Sequence, residues 1–273
     1  MKQRLIVAGV GIPVLLLILL AAPVWATAAM CALLSAVGCY ELMHAVGKDE
    51  WKLLCLMPLF AAWMCTSIGL GEEWTPEPGL YMAAACFVAV VYTFAMAVVT
   101  HGRERSLSFR TAMAGLFAMS AIAAGFACLV ILRDISPAVV LTPFIGAFMS
   151  DTGAFFAGRA FGKRKLCPAV SPNKTVAGCI GGFVGSIAGM AVFHLVVKTW
   201  FQLDLGWGVV ILMGVIGSLF GQLGDLSFSV IKREFGIKDY GAIFPGHGGV
   251  LDRFDSVLFV APAYLLFMLL YFT

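Results

Sequence analysis

The chain has 273 residues, of which 61% are hydrophobic and only 12% charged, with a formal net charge of +3 and a mean hydropathy of +0.97. That balance excludes a large soluble core and describes a polytopic membrane protein. Its apolar runs show no period-two alternation, which excludes an outer-membrane barrel. Backbone groups in hydrocarbon must be satisfied within each segment, so an all-α helical bundle is expected.

In chain order the apolar segments fall at about 4–22, 24–46, 51–70, 79–100, 110–132, 137–158, 176–198, 208–231 and 254–272, nine spans in all. Ala22, Pro23 and Val24 leave almost no room for a turn, although proline is accepted at a helix start. A kinked or re-entrant first pair fits the same residues. The basic start followed by Ala26, Thr27 and Ala28 resembles a cleaved secretory signal, but the apolar stretch exceeds the roughly 7 to 15 residues of a signal core, so a retained first helix is expected.

A cytoplasmic N-terminus puts sixteen of the 18 Lys and Arg residues inside, leaving Arg133 and Lys198 outside. The loop with Glu72, Glu73 and Glu77 then falls outside, as does the C-terminus. Trp51, Trp74, Trp200 and Trp207 stand at span ends, where amphipathic rings prefer the interface. The 8 cysteines (Cys31, Cys39, Cys55, Cys65, Cys86, Cys128, Cys167 and Cys179) contain no C-x-x-C pair. All but Cys167 lie within the expected spans, where cysteine acts as a small hydrophobe, and no disulfide, zinc or thiol chemistry is expected. The basic cytoplasmic face suits anionic lipid headgroups or nucleotides, and no nucleic-acid partner is expected. Residues 1–132 form the N-terminal membrane helices. Residues 133–273 hold the catalytic helices, with cytoplasmic loops at 159–175 and 232–253.

Polar residues gather in three places in that second part, each at the cytoplasmic end of helices. The first is Ser150, Asp151 and Thr152, inside the sixth span. An ionised aspartate at a helix centre costs about 2.5 to 3.5 kcal/mol, so intramembrane carboxylates usually face a polar cavity with a partner. Gly153, Gly158 and Gly162 serve equally well as helix-packing positions. The second is the loop 163–178, with Lys163, Arg164 and Lys165, then Ser171, Pro172, Lys174 and Thr175. Its prolines prevent a continuous helix, and Lys174 and Thr175 precede a helix N-terminus, where free amides favour anions. Ordinary topology determination accounts for Lys163 to Lys165.

The third and densest place is the run 229–255, SVIKREFGIKDYGAIFPGHGGVLDRFD. On a helix Asp225, Ser229, Lys232 and Arg233 share one face, at i, i+4, i+7 and i+8. Asp252 and Asp255 stand at i and i+3 of the next helix. Between the two helices lie Lys238, Asp239 and a Gly-rich turn holding His247, whose bare backbone permits close approach of a ligand, and Arg253 follows Asp252. Carboxylates with little histidine and no nearby cysteine suit magnesium, which takes one or two carboxylates and fills its shell with water and phosphate oxygens. Lysine and arginine neutralise phosphates. A solvated loop, a lone histidine bonded to backbone, and an ion pathway are the competing readings, and the gathering of charge at one face argues for a one-sided pocket over a pathway.

Ser229-Val-Ile-Lys232-Arg233, Lys238-Asp239-Tyr-Gly241 and Pro245-Gly-His247-Gly248-Gly249-Val-Leu-Asp252-Arg253-Phe-Asp255 together resemble the signature of the phosphatidate cytidylyltransferases, or CDP-diacylglycerol synthases. Gly224-Asp225-Leu226, Ser150-Asp151-Thr152 and Ser171-Pro172-Asn-Lys174-Thr175 are similar to that family's other fixed segments. The likeness is densest over 150–256, and the first 130 residues match only as apolar helices.

The resemblance implies an inner-membrane enzyme that condenses CTP with phosphatidic acid, giving CDP-diacylglycerol and pyrophosphate on the cytoplasmic side. It implies magnesium on Asp225 and Asp252, a monovalent cation such as K+ nearby, and a homodimer. Together with the residues themselves it makes Asp151 and Asp255 lesser metal ligands, and Lys232, Arg233, Lys238, Asp239 and His247 catalytic. Ser150, Ser171, Lys174, Thr175, Ser229 and Arg253 are then expected around the nucleotide and phosphates. One departure is visible: many members carry glutamate where this chain has Phe228, so no role of that carboxylate carries over. A CTP-dependent membrane lipid kinase and an ion transporter are the alternatives.

Overall fold

The computed structural model describes residues 2–47, 49–69, 78–201, 205–243 and 248–272. The helices are α1 (Lys2–Leu20), α2 (Val24–Gly47), α3 (Met57–Gly69), α4 (Pro78–Thr100), α5 (Phe109–Phe117), α6 (Ala124–Ile135), α7 (Thr142–Phe161), α8 (Val176–Phe201), α9 (Trp207–Glu234) and α10 (Leu251–Phe272). Two short strands, β1 (Lys165–Cys167) and β2 (Ser171–Thr175), lie between α7 and α8. Among the described residues, eight helical segments from Val24–Gly47 to Leu251–Tyr271 are long and apolar enough to cross a membrane, and Gly11–Leu20 of α1 is a shorter apolar stretch. The protein is an integral membrane protein built almost wholly of helices. This agrees with the all-α expectation, the short hairpin between α7 and α8 being a local addition.

Two of the expected spans are more complex than a single rod. The span 51–70 begins as a 3-10 turn at Glu50–Leu54 and restarts as α3 at Met57. Pro58 has no N–H to give and is tolerated only in such a first turn. The span 110–132 runs from α5 through a π-helical turn, Ala118–Ala123, into α6. That wider turn presents Ala118 O to Cys39 Sγ at 3.6 Å and Ala123 O to Cys65 Sγ at 3.9 Å, so two of the thiols act as weak buried donors.

The chain divides into two compact units. Unit 1 comprises Met1–Pro137 with Phe235–Phe254, and unit 2 comprises Ala138–Glu234 with Asp255–Thr273. In unit 1, α2 is the central helix: Cys31, Cys39, Leu42 and Met43 are all buried. A Cβ at Gly38 would lie 3.1 Å from both Ile122 and Leu251. Ser108 caps α5 through Thr111 N and gives both its hydroxyl (2.6 Å) and its N–H (2.9 Å) to Glu50 Oε2. The segment 235–254 is fastened to this unit by Arg110, whose guanidinium lies 4.1 Å above the Phe235 ring, and by Phe254 against Phe126.

Unit 2 is built on very close helix contact. Gly153 of α7 packs backbone to backbone on Gly181 and Gly185 of α8, so that a side chain on any of the three would strike the opposite main chain. Gly158 and Gly178 also face each other, less tightly: a Cβ on either would lie 3.5 Å from the other's Cα. Small residues drive helix association in lipid because apolar burial gains nothing there, and these glycines are spent on packing. Tyr264 of α10 lies against Gly146 and Gly217 and donates its hydroxyl to Met213 O at 2.6 Å.

Candidate active site

In unit 2 the hairpin brings the second polar segment back to the helices. Lys165 pairs with Thr175 and Cys167 with Ser171 across an irregular antiparallel register. Thr175 Oγ1 accepts the N–H of Gly178 at 3.0 Å, which makes Thr175 the cap of α8. One position earlier on the strand, where side chains alternate in direction, Lys174 reaches the carboxylate of Asp225 on α9 and forms an ion pair. Both side chains remain about a quarter exposed, 24% and 28%. Arg233 donates from Nε to Val170 O at 3.2 Å and so fastens the end of α9 to the hairpin turn.

Asp225 stands in an acidic neighbourhood. Asp151 of α7 interacts electrostatically with Asp225 and Lys174. Asp255 of α10 interacts with Asp225, Asp151 and Lys232, and its Oδ1 accepts Ser256 N at 2.7 Å. A cavity of about 470 Å³ opens beside this cluster, lined by Asp151, Phe155, Arg159, Asn173, Lys174 and Gln222 among others. Its size is that of an ordinary ligand site, and its lining combines charged, polar and apolar residues.

Other expected residues of this unit have structural positions. Ser150 is 1% exposed and shares a hydrogen bond of 2.9 Å with Ser218 Oγ. Gln222 extends this ladder by donating to Ser218 Oγ at 2.8 Å and Cys179 O at 3.2 Å. Ser229 is buried one turn past Asp225. Ser171 lies on β2 opposite Cys167. Phe228, standing where the resemblance leads one to look for a carboxylate, is fully buried edge-on to Phe259, so that direction belongs to the apolar core.

In unit 1, Asp252 stands on the first turn of α10. Asp252 Oδ2 accepts Gly249 N at 3.0 Å and Tyr240 N at 2.9 Å, closing the loop onto the first helical turn. Gly248 has φ +86, a conformation that side-chain-bearing residues avoid, and a Cβ there would meet the Asp252 carboxylate at 2.8 Å. Lys238, Asp239 and Arg253 are exposed. His247 lies outside the described residues.

The sequence reading missed Glu41. It sits in an apolar helix, is 3% exposed, and accepts the N–H groups of Val250 and Leu251, each at 3.0 Å. A single acid in an apolar span was the available signal, since such residues rarely stand in hydrocarbon without a task.

Within neither unit do three or more described His, Cys, Asp or Glu side chains form a complete metal cage. Magnesium does not need one. It binds through one or two carboxylates and keeps waters and phosphate oxygens for the rest of its shell. The donors around Asp225 are carboxylate oxygens, and that carboxylate already holds a cation, the Lys174 ammonium. The residues therefore fit a hard divalent ion.

The fold and this cluster define a class: an integral membrane protein with a carboxylate and ammonium site beside a ligand-sized cavity. The model of the cytidylyltransferase family matches residues 2–271, and the chain belongs to that family. It is similar to the phosphatidate cytidylyltransferase of Staphylococcus haemolyticus, 36% identical over 234 residues, covering 84% of this chain and 85% of that one. It is also similar to the phosphatidate cytidylyltransferase of Staphylococcus aureus, 42% identical over 184 residues, which are 66% of this chain and 65% of its relative.

Proposed function

We propose that this chain is a phosphatidate cytidylyltransferase, which transfers CMP from CTP to phosphatidic acid and releases pyrophosphate. The observation that carries the reading is the ion pair of Lys174 with Asp225. It joins two of the family-like segments, Ser171-Pro172-Asn-Lys174-Thr175 and Gly224-Asp225-Leu226, beside a cavity large enough for a substrate.

The phosphate of phosphatidic acid is already an anionic nucleophile, so the protein has no need of a strong general base. One of its oxygens bonds to the alpha phosphorus of CTP as the bond to the bridging oxygen of pyrophosphate breaks, and the pyrophosphate departs with that electron pair. Lys174, Lys232, Arg233, Lys238 and Arg253 hold phosphates of the two substrates. Aligning two polyanions and cancelling their charge is the catalytic work. Asp225 is a magnesium ligand with Asp151 and Asp255 in support, and the resemblance adds Asp252 as a ligand and K+ nearby. Magnesium supplies charge stabilisation at the reacting phosphates. Nine spans with the N-terminus inside, a cytoplasmic site and a homodimer complete the proposal.

The test is detergent-solubilised protein supplied with CTP and phosphatidic acid. CDP-lipid and stoichiometric pyrophosphate are expected with magnesium, and neither after chelation. A phospholipid product accompanied by CDP would instead establish a lipid kinase. Turnover that persists after chelation would remove the metal from the scheme.

A further inference from the structure

Burying Glu41 in a membrane helix is costly unless its charge is used. Its use is unusual. The first amides of a helix have no partner within the helix and are normally met by the helix's own capping residue. At the start of α10, the N–H groups of Val250 and Leu251 are met instead by a carboxylate from α2, one oxygen each, at 3.0 Å. Gly241 and Gly249 both press on that carboxylate so closely that a Cβ on either would collide with it. One side chain thus gathers α2, the segment at Gly241 and the turn 249–251.

Asp252 lies within the structure that Glu41 holds. Its Oδ2 accepts the neighbouring amides of Gly249 and Tyr240. Glu41 also faces it electrostatically. Two carboxylates thereby accept three consecutive amides of the turn, Gly249 to Leu251, and that of Tyr240 from the segment before it. Asp252 Oδ2 is tied to the same turn whose Val250 and Leu251 amides belong to Glu41, so that turn sets the direction of the Asp252 carboxylate.

We propose that Glu41 is a positioning residue for the reaction, fixing the turn at 248–252 so that Asp252 presents its carboxylate to the divalent cation. This rests on the reading of Asp252 as a ligand. Groups that orient metal ligands typically account for about 10- to 100-fold in metal affinity or activity.

Glu41→Gln is isosteric, but it replaces one acceptor with an NH₂ aimed at an N–H. The expected result is a kcat about 10- to 100-fold lower and a magnesium concentration for half-maximal rate raised by about tenfold. Two readouts need no turnover: faster amide exchange over residues 248–254 in metal-free protein, and a smaller magnesium-induced rise in the unfolding temperature. A Glu41→Gln protein that melts earlier yet keeps its kcat and magnesium requirement would show a structural role only and overturn the proposal. If that variant does not fold, Glu41→Asp, which keeps the charge but is a methylene short, is judged on the same measurements. Asp252→Asn is assayed in parallel. An unchanged magnesium requirement there would refute the ligand reading of Asp252. A raised requirement in Asp252→Asn alone, with Glu41 variants normal, would refute the positioning role and leave the ligand standing.

Discussion

The two units use their acids in opposite ways. In unit 1 the oxygens of Glu41 and Oδ2 of Asp252 are matched to backbone amides at 2.9 to 3.0 Å. In unit 2, Asp225 is matched to the ammonium of Lys174 in the company of two further carboxylates. Amides of a helix end cannot leave. An ammonium on a flexible four-carbon stem can, and it is a compact charge equally able to bind a phosphate. The first arrangement fixes geometry, and the second allows charges to be exchanged as substrates and metal arrive.

Removing the exchangeable acid tests this most severely. Asp225→Asn is expected to lower CTP incorporation into lipid by about a thousandfold, the rate equivalent of about 4 kcal/mol of lost charge stabilisation. A folded variant with near-normal turnover would break the comparison, because Asp225 would then be a partner for Lys174 and nothing more. Lys174→Met sharpens it. With one phosphate cation gone, kcat should fall by about a hundredfold. Half-saturation should meanwhile come at a lower magnesium concentration, since no ammonium competes for Asp225. Titrating the metal in both proteins reads the two effects separately, and a higher requirement in Lys174→Met would mean that the ammonium helps to seat the ion rather than displacing it.

How much of this was legible in the sequence follows from how far each interaction reaches along the chain. The helices were legible because an apolar run is a local signal, and α2, α4 and α9 begin and end within a few residues of the expected spans. The π-turn at Ala118–Ala123 was not, because nothing in six small or apolar residues distinguishes it from ordinary helix. Pro168 and Pro172 correctly excluded a helix in the 163–178 loop, yet strands of three and five residues are too short to show a clear alternation. Asp225 and Lys174 were legible as chemistry, and their ion pair was not, since local spacing says nothing about a strand meeting a helix. Glu41 was the least legible. Its partners lie 209 and 210 positions away and are backbone amides, which carry no side-chain signature.

The smallest effect expected concerns polar groups that neither anchor the signature turn nor exchange charge. Ser218 joins Ser150 on α7 to Gln222 on α9, and Gln222 in turn reaches Cys179 on α8. Hydrogen bonds between membrane helices are worth on average about 0.6 kcal/mol each, because the chain finds other partners when they are lost. Ser218→Ala removes two bonds and should cost unit 2 about 1 kcal/mol in a detergent unfolding titration. Gln222 would keep its bond to Cys179 O, and the cavity lining would retain its shape. Turnover should therefore stay near that of the parent. A large loss of activity in Ser218→Ala with little loss of stability would move this ladder from scaffold to substrate contact, and would make Gln222, which already lines the cavity, the residue to examine for its reach toward the nucleotide.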